Sequence, residues 1–492
     1  MYPRIRDLQI GDVNVVEHDG VFHLYHLTLP NHAYIAHAVS RDGLSWRRVK
    51  NALFISDPDA WDDDMLWTMH VSPDPAREGA WRMFYTGLGL QDQSRIQRIG
   101  LARSDDLYHW EKDTSGTFPL EIPGSHYEHE VAEGRHWVSF RDPFCFRENG
   151  KHFLLAAARV KTGPLVRRGC VALIRETAGG RYEFGPPLFH PMQYDDVEVP
   201  NLARIDGRYY LVGSIREDVK VHYWWSDRFE GPYRNFSDNV LLPQGNYAAR
   251  LSAVRDGYLI WNFFVKKRHA ESIHLMAPPK ELAVDAEGEL RLKSFQGFDR
   301  LVRTRHALPE LTPVKALFGN RSARGSSRDD ELHLGSESGC EVFLLRGDYR
   351  NFLLTGTLEL AKRGKCGLVL RVDEEGNGYY LSLELYKGLA QIRAWGKKPG
   401  GTMDNDFRYR QLQAGHYEAR NGPVAFRLVA REQYLEFSLN GHILLSLADD
   451  EYRQGGVGFY VESAVMRVTD LVMGRLEAGQ AYGYGDGVAL SG

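Results

Sequence analysis

Three carboxylates stand ahead of three turn signals in this chain. Asp12 lies seven residues before Asp19-Gly20, Asp142 seven before Asn149-Gly150, and Glu198 eight before Asp206-Gly207. Each dipeptide favours the left-handed dihedrals of a two-residue hairpin turn, so each acid falls where a strand begins. Any one of them alone reads as a strand-end residue bonding its own backbone. Three at one repeated address read differently, because gathering like charges is costly unless chemistry uses them. Two further units offer Trp67-Thr68-Met69-His70 and Tyr247-Ala248-Ala249-Arg250 at the matching place. Acids beside aromatic, His and Arg groups suit a polar, ring-shaped ligand such as a sugar.

The elements that must position these residues form a repeat. Apolar hairpin halves follow turn-like residues at Asp19-Gly20, Gly79, Asn149-Gly150, Asp206-Gly207 and Asp256-Gly257, and further strand-like stretches follow, such as Tyr34–Val39, Arg98–Arg103 and Val221–Trp225. Two of these run into near-copies of one another, Ser40–Trp46 and Ser104–Trp110. Helical periodicity is almost absent. Units of roughly 50 to 70 residues, each a short antiparallel sheet, predict propeller blades, and five of them predict a five-bladed β-propeller over residues 1–300. The innermost strand of every blade lines the central channel, so residues at the starts of those strands converge at one end of the axis. Asp12, Asp142 and Glu198 therefore meet in one acidic pocket.

Beyond residue 300 the pattern changes. Residues 301–330 are basic, polar and irregular and read as a linker. Residues 331–475 alternate with period two through Gly367–Val372, Tyr379–Leu385, Val424–Val429 and Tyr434–Leu439, the last closed by Asn440-Gly441. Such alternation with closely spaced turns predicts a β-sandwich, making the whole chain all-β. Residues 476–492 are a Gly-rich, exposed tail.

Composition narrows the function classes. The 492 residues carry 61 Lys and Arg against 65 Asp and Glu, a net charge of −4 that argues against nucleic-acid or anionic-membrane partners. No run approaches 18 apolar residues and the first ten residues lack an apolar signal core, so a cytoplasmic location is expected. The four cysteines, Cys145, Cys170, Cys340 and Cys366, show no metal spacing and are expected to be reduced. Neither a metal nor another cofactor is expected, and no motif speaks to the oligomeric state.

At this point the residues resemble a known family. Residues 1 to about 300 are similar to the five-bladed propeller enzymes of glycoside hydrolase family 32, the invertase, levanase and inulinase group, which carry a C-terminal β-sandwich. Arg141-Asp142-Pro143 matches their Arg-Asp-Pro motif, and Glu198-Val199-Pro200-Asn201 resembles their Glu-Cys-Pro-Asp segment. Gly11-Asp12-Val13-Asn14, with Phe22-His23-Leu24-Tyr25 behind it, resembles their nucleophile strand, and Phe84-Tyr85-Thr86-Gly87 a signature of their second blade. The resemblance implies retaining hydrolysis of a β-fructofuranoside through a covalent glycosyl-enzyme. It makes Asp12 the nucleophile, Glu198 the general acid and base, and Asp142 the stabiliser of the transition state, oriented by Arg141. Asn14, Trp67 and His70 become candidates for substrate contact, His70 with an alternative role as a hydrogen-bonded core residue.

The chain also departs from the family pattern. Ile10 and Gly11 stand where a Trp and the first Asn are usual, Val13 replaces Pro, Val199 replaces Cys, and Leu27 stands in place of a Gln. Several of those family residues touch the sugar, so the acids carry over more directly than a sucrose or fructan specificity does. Two other readings share the acids or the architecture: an inverting arabinofuranosidase- or xylosidase-like propeller hydrolase, and a sugar-binding protein without catalysis.

Overall fold

The structure, a computed structural model, describes residues 9–133, 135–268, 271–362, 364–397, 407–419 and 422–478. The expected tail lies outside these residues from 479 onward. Among the described residues, five antiparallel sheets follow one another along the chain, each with its first strand innermost. These first strands are Gln9–His18, Met65–Pro73, Phe140–Glu148, Glu198–Ile205 and Asn246–Val254. Successive first strands touch, and the fifth touches the first, which closes the ring as a five-bladed propeller.

Local sequence explains the hairpins. Asp19 and Gly20 have φ of 51° and 73°, Asn149 and Gly150 49° and 77°, and Asp206 and Gly207 50° and 83°. Both turn residues are left-handed each time, as the right-handed twist of the flanking strands requires. In the fifth blade Val254 pairs with Gly257, so the turn is Arg255-Asp256, one residue earlier than the Asp-Gly signal suggests. The blades pack through apolar clusters between neighbours, such as Tyr25, Leu66, Met69 and Tyr85 between the first two.

The described residues fall into two compact units that part after Leu290 rather than at residue 300. The second unit is a sandwich of an eight-stranded and a seven-stranded antiparallel sheet. Its core interleaves Leu354, Phe426, Leu428 and Phe437 with Leu368, Leu370, Tyr379 and Phe459. Residues 301–330 do not form the expected linker. Val302–Ala307 pairs with the long strand Val465–Leu476, Lys315–Ala316 pairs with Cys340–Leu344, and Ala323–Arg328 forms a hairpin with Glu331–Ser336. Their polar composition misleads because these strands are exposed along most of their length, on both faces.

Candidate active site

Every innermost strand loses register by one residue near its start. The slips lie between Ile10 and Val13, Trp67 and Met69, Arg141 and Phe144, Glu198 and Asn201, and Tyr247 and Arg250. Such bulges bend a strand and re-aim the side chains beside them. Asp12 and Asp142 are themselves bulge residues, while Glu198 is the last paired residue before its bulge. The three acids thus occupy neighbouring positions of one repeated device, not one identical position. Asp142, Val199 and Ala248 have φ of 60°, 49° and 49°. A β-branched residue such as Val199 in the left-handed region is strained, and strain of this kind persists where surrounding structure enforces it.

Asp142 is buried and fixed from two sides. Its Oδ2 accepts the Val199 N–H at 2.9 Å and lies 3.5 Å from Arg141 Nε, while its own N–H donates to Thr86 Oγ1 at 3.2 Å. Arg141 also reaches the neighbouring blade, where its Nη2 donates to Glu198 Oε1 at 2.9 Å. The other oxygen of Glu198 accepts from Tyr247 Oη at 2.5 Å. Glu198 is pushed above the ordinary carboxylate range by burial. Arg141 opposes that rise, the charges of Asp196 and Asp142 add to it, and the Tyr247 hydrogen bond opposes it.

Asp12 accepts a hydrogen bond from the Thr68 hydroxyl. Burial first, then the charge of Asp142, with a further contribution from Glu198, raises it to about 7, against the hydrogen bond from Thr68 and the charge of Arg250. Asp12 and Glu198 are thus both raised, each by burial and by the carboxylates around it. Arg250 is the counter-charge from the fifth blade. Its guanidinium is fully buried, with Nη1 donating to the Pro200 carbonyl at 3.2 Å and Nη2 to the Met69 carbonyl at 3.4 Å. Desolvation lowers Arg250 to about 10, still charged at neutral pH.

The other expected site residues divide. Arg141 bridges Asp142 and Glu198. Trp67 is half-buried at the second bulge, its ring 5.7 Å from that of His32 and its indole N–H without a protein acceptor. Asn14 and His70 are turned to the fold instead. The amide oxygen of buried Asn14 accepts the Val71 N–H at 2.9 Å, tying the first inner strand to the second. Buried His70 accepts the Cys145 N–H at Nδ1 at 3.1 Å, tying the second to the third. Desolvation, aided by Arg250 and Arg82, keeps this imidazole neutral. Asn201 makes the corresponding tie from the fourth strand to Leu251 of the fifth.

Tyr247 and Arg250, from the fifth-blade segment that the sequence aligns with the acids, both reach the site, and so do two residues with no role expected from sequence, Thr68 and Asp196. Thr68 sits in the second-blade segment aligned with the acids, so position alone could have found it. Asp196 carries no such signal.

A family model described as the glycosyl hydrolases family 32 N-terminal domain matches residues 10–282. No curated protein matches the chain in sequence. Among solved structures, fructan 1-exohydrolase IIa from Cichorium intybus superposes with a TM-score of 0.70 at 13% identity, over 97% of each chain. Sucrose-6-phosphate hydrolase from Lactobacillus gasseri does so at 0.68 and 14%, over 96% of this chain and 91% of that one. A β-fructofuranosidase from Bombyx mori gives 0.65 and 15%, over 96% and 92%. At these identities the likeness is one of fold, and it extends through propeller and sandwich alike.

Proposed function

The chain belongs to glycosyl hydrolase family 32 and is a glycoside hydrolase, and from that premise we propose that it cleaves a β-fructofuranoside with retention of configuration. Asp12 is the nucleophile, Glu198 the proton donor and later the base, and Asp142 the carboxylate that holds sugar hydroxyls as positive charge builds on the ring. In the first step an ionised Asp12 oxygen bonds to the anomeric carbon while Glu198 protonates the departing glycosidic oxygen. In the second, Glu198 takes a proton from water, and the new C–O bond displaces Asp12.

One observation carries this reading: carboxyls from the first, third and fourth blades are gathered in one buried cluster with Arg141 and Arg250. Asp142 accepts a backbone N–H and lies beside Arg141, which fixes its orientation. Glu198 is pushed up by burial and by neighbouring carboxylates, as a proton donor at neutral pH requires. Burial and then the charge of Asp142 raise Asp12 to about 7, and the Thr68 hydroxyl and Arg250 favour the ionised form that attacks. The solved structures similar in fold include fructan and sucrose-6-phosphate hydrolases, which supports fructose as the sugar on the glycone side.

Purified protein offered sucrose, short fructo-oligosaccharides and nitrophenyl arabinofuranoside should release fructose from the first two. Arabinose from the third substrate, with no fructose from the others, would overturn the assignment.

A further inference from the structure

Two residues before Glu198 stands Asp196, a fourth carboxylate at the site. Its Oδ2 accepts from Arg135 Nη2 at 2.9 Å and from Arg141 Nη2 at 3.3 Å. The same Arg141 nitrogen lies 2.9 Å from Glu198 Oε1. One guanidinium nitrogen is therefore divided between two carboxylates, and Asp196, only 1% exposed, is shielded from water that could replace the contact.

The fold builds this arrangement deliberately. The segment bearing Asp196 presses against the third blade at Gly169, where an added Cβ would lie 2.6 Å from the Asp196 Cα. Gly169 N–H donates to the Tyr194 carbonyl at 3.0 Å, fixing the approach. Arg135 comes from the segment preceding the third blade. That segment is anchored by buried Glu128, which accepts from Arg159 Nε at 2.8 Å and from Arg168 Nη1 at 2.7 Å. The Arg135 guanidinium also lies 4.6 Å over the Trp137 ring.

We propose that Asp196 is a positioning residue that takes up part of the charge of Arg141 and so leaves Glu198 able to hold the proton it donates. This rests on the reading of Glu198 as the proton donor. A cation within about 4–6 Å lowers a carboxyl by roughly one to three pK units. An Arg141 serving Glu198 alone would keep it ionised at working pH, and an ionised carboxylate cannot protonate a leaving group. Burial works to raise Asp196, but Arg141 and Arg135 hold it below the ordinary range, so it stays an anion and keeps its share. The charged and titratable groups facing Glu198 are Arg141 and Asp142 of the third blade, Tyr247 of the fifth, Asp12 of the first, Asp196, and Arg216, whose Nη1 is 3.9 Å from Glu198 Oε1. Those facing Asp196 are Arg135, Arg141, Arg159, Arg216, Glu198 and the buried Cys170.

The test is the pH dependence of kcat/KM on a natural fructoside for the parent, Asp196→Asn, Arg135→Gln and Asp196→Glu, with melting temperatures recorded. Asp196→Asn should move the basic limb down by about one pH unit while activity below the limb approaches the parent's. Arg135→Gln, which removes a cation from the same cluster, should move it up, and Asp196→Glu should restore most of the parent profile. Damage to the fold alone would lower activity at every pH and could not give opposite displacements. If Asp196→Asn fails to fold, Arg135→Gln decides, and a basic limb that stays put or falls overturns the proposal. Glu198→Gln is measured in parallel. Full activity in that variant sinks the reading of Glu198 itself, whereas its loss together with an unmoved limb in Asp196→Asn sinks only the role of Asp196.

Discussion

At the scale of single residues, one carboxyl must carry a proton while another close by does not. Glu198 is the donor in this account, so Glu198→Gln, which keeps shape and removes the titratable proton, should lower kcat by roughly 10²- to 10⁴-fold on a natural fructoside. The loss should shrink on a substrate whose leaving group needs no protonation, and an equal loss on both would remove the acid role. Asp142→Asn keeps an oxygen for the Val199 N–H but loses the carboxyl beside Arg141. Activity should fall at least 100-fold with a small change in melting temperature, since the interaction is made most strongly in the transition state. A collapse in melting temperature would instead make Arg-Asp-Pro a structural motif. The acids were legible because their charge is conspicuous ahead of a strand. Asn14 was not, because an amide serves a backbone N–H as readily as a sugar hydroxyl, while for His70 the sequence left open the core hydrogen bond that it makes. Asp196 was invisible because its partners, Arg135 and Arg141, come from distant parts of the chain and meet it only on folding.

At the scale of elements, the hairpin turns could be read directly from Asp-Gly and Asn-Gly pairs, since the left-handed dihedrals are local demands. The bulges could not, because nothing in Glu198-Val199-Pro200 or Tyr247-Ala248-Ala249 announces an extra residue. They show up only as lost register against the second strand of each blade. The duplicated Ser40–Trp46 and Ser104–Trp110 segments do fold alike. Ser40 Oγ accepts the N–H groups of Asp42 and Gly43, and Ser104 Oγ those of Asp106 and Leu107. The ties between inner strands give a prediction at this scale. Asn14→Ala leaves the buried Val71 N–H without its acceptor, which costs about 1–3 kcal/mol. Melting temperature should fall by roughly 2–6 °C with KM unchanged. A raised KM at unchanged melting temperature would return Asn14 to substrate contact.

At the scale of the whole molecule, a channel that gathers acids has a signature in stability against pH. A carboxyl raised on folding stabilises the protein below its unfolded value, and that contribution is lost as pH rises through the folded one. For Asp12 the window runs from 3.8 to about 7, and Glu198 acts in the same direction. Asp12→Asn cannot ionise, so its melting temperature should exceed the parent's by more at pH 8 than at pH 5, by roughly 2–5 °C. A gap that is constant across pH would mean that Asp12 is not raised by the fold. The division into propeller and sandwich was legible from the change in strand pattern. Its position was not, since solvated strands such as Ala323–Arg328 look like a linker when only composition is read. The covalent mechanism is tested most directly by running the reaction in aqueous methanol, where a fructosyl-enzyme on Asp12 can be captured by methanol in place of water. Methyl β-fructofuranoside, identified by NMR and free of mutarotation, is the predicted product. A methyl α-fructofuranoside, or fructose alone with its first-formed anomer inverted, would contradict retention and with it the role of Asp12 as nucleophile.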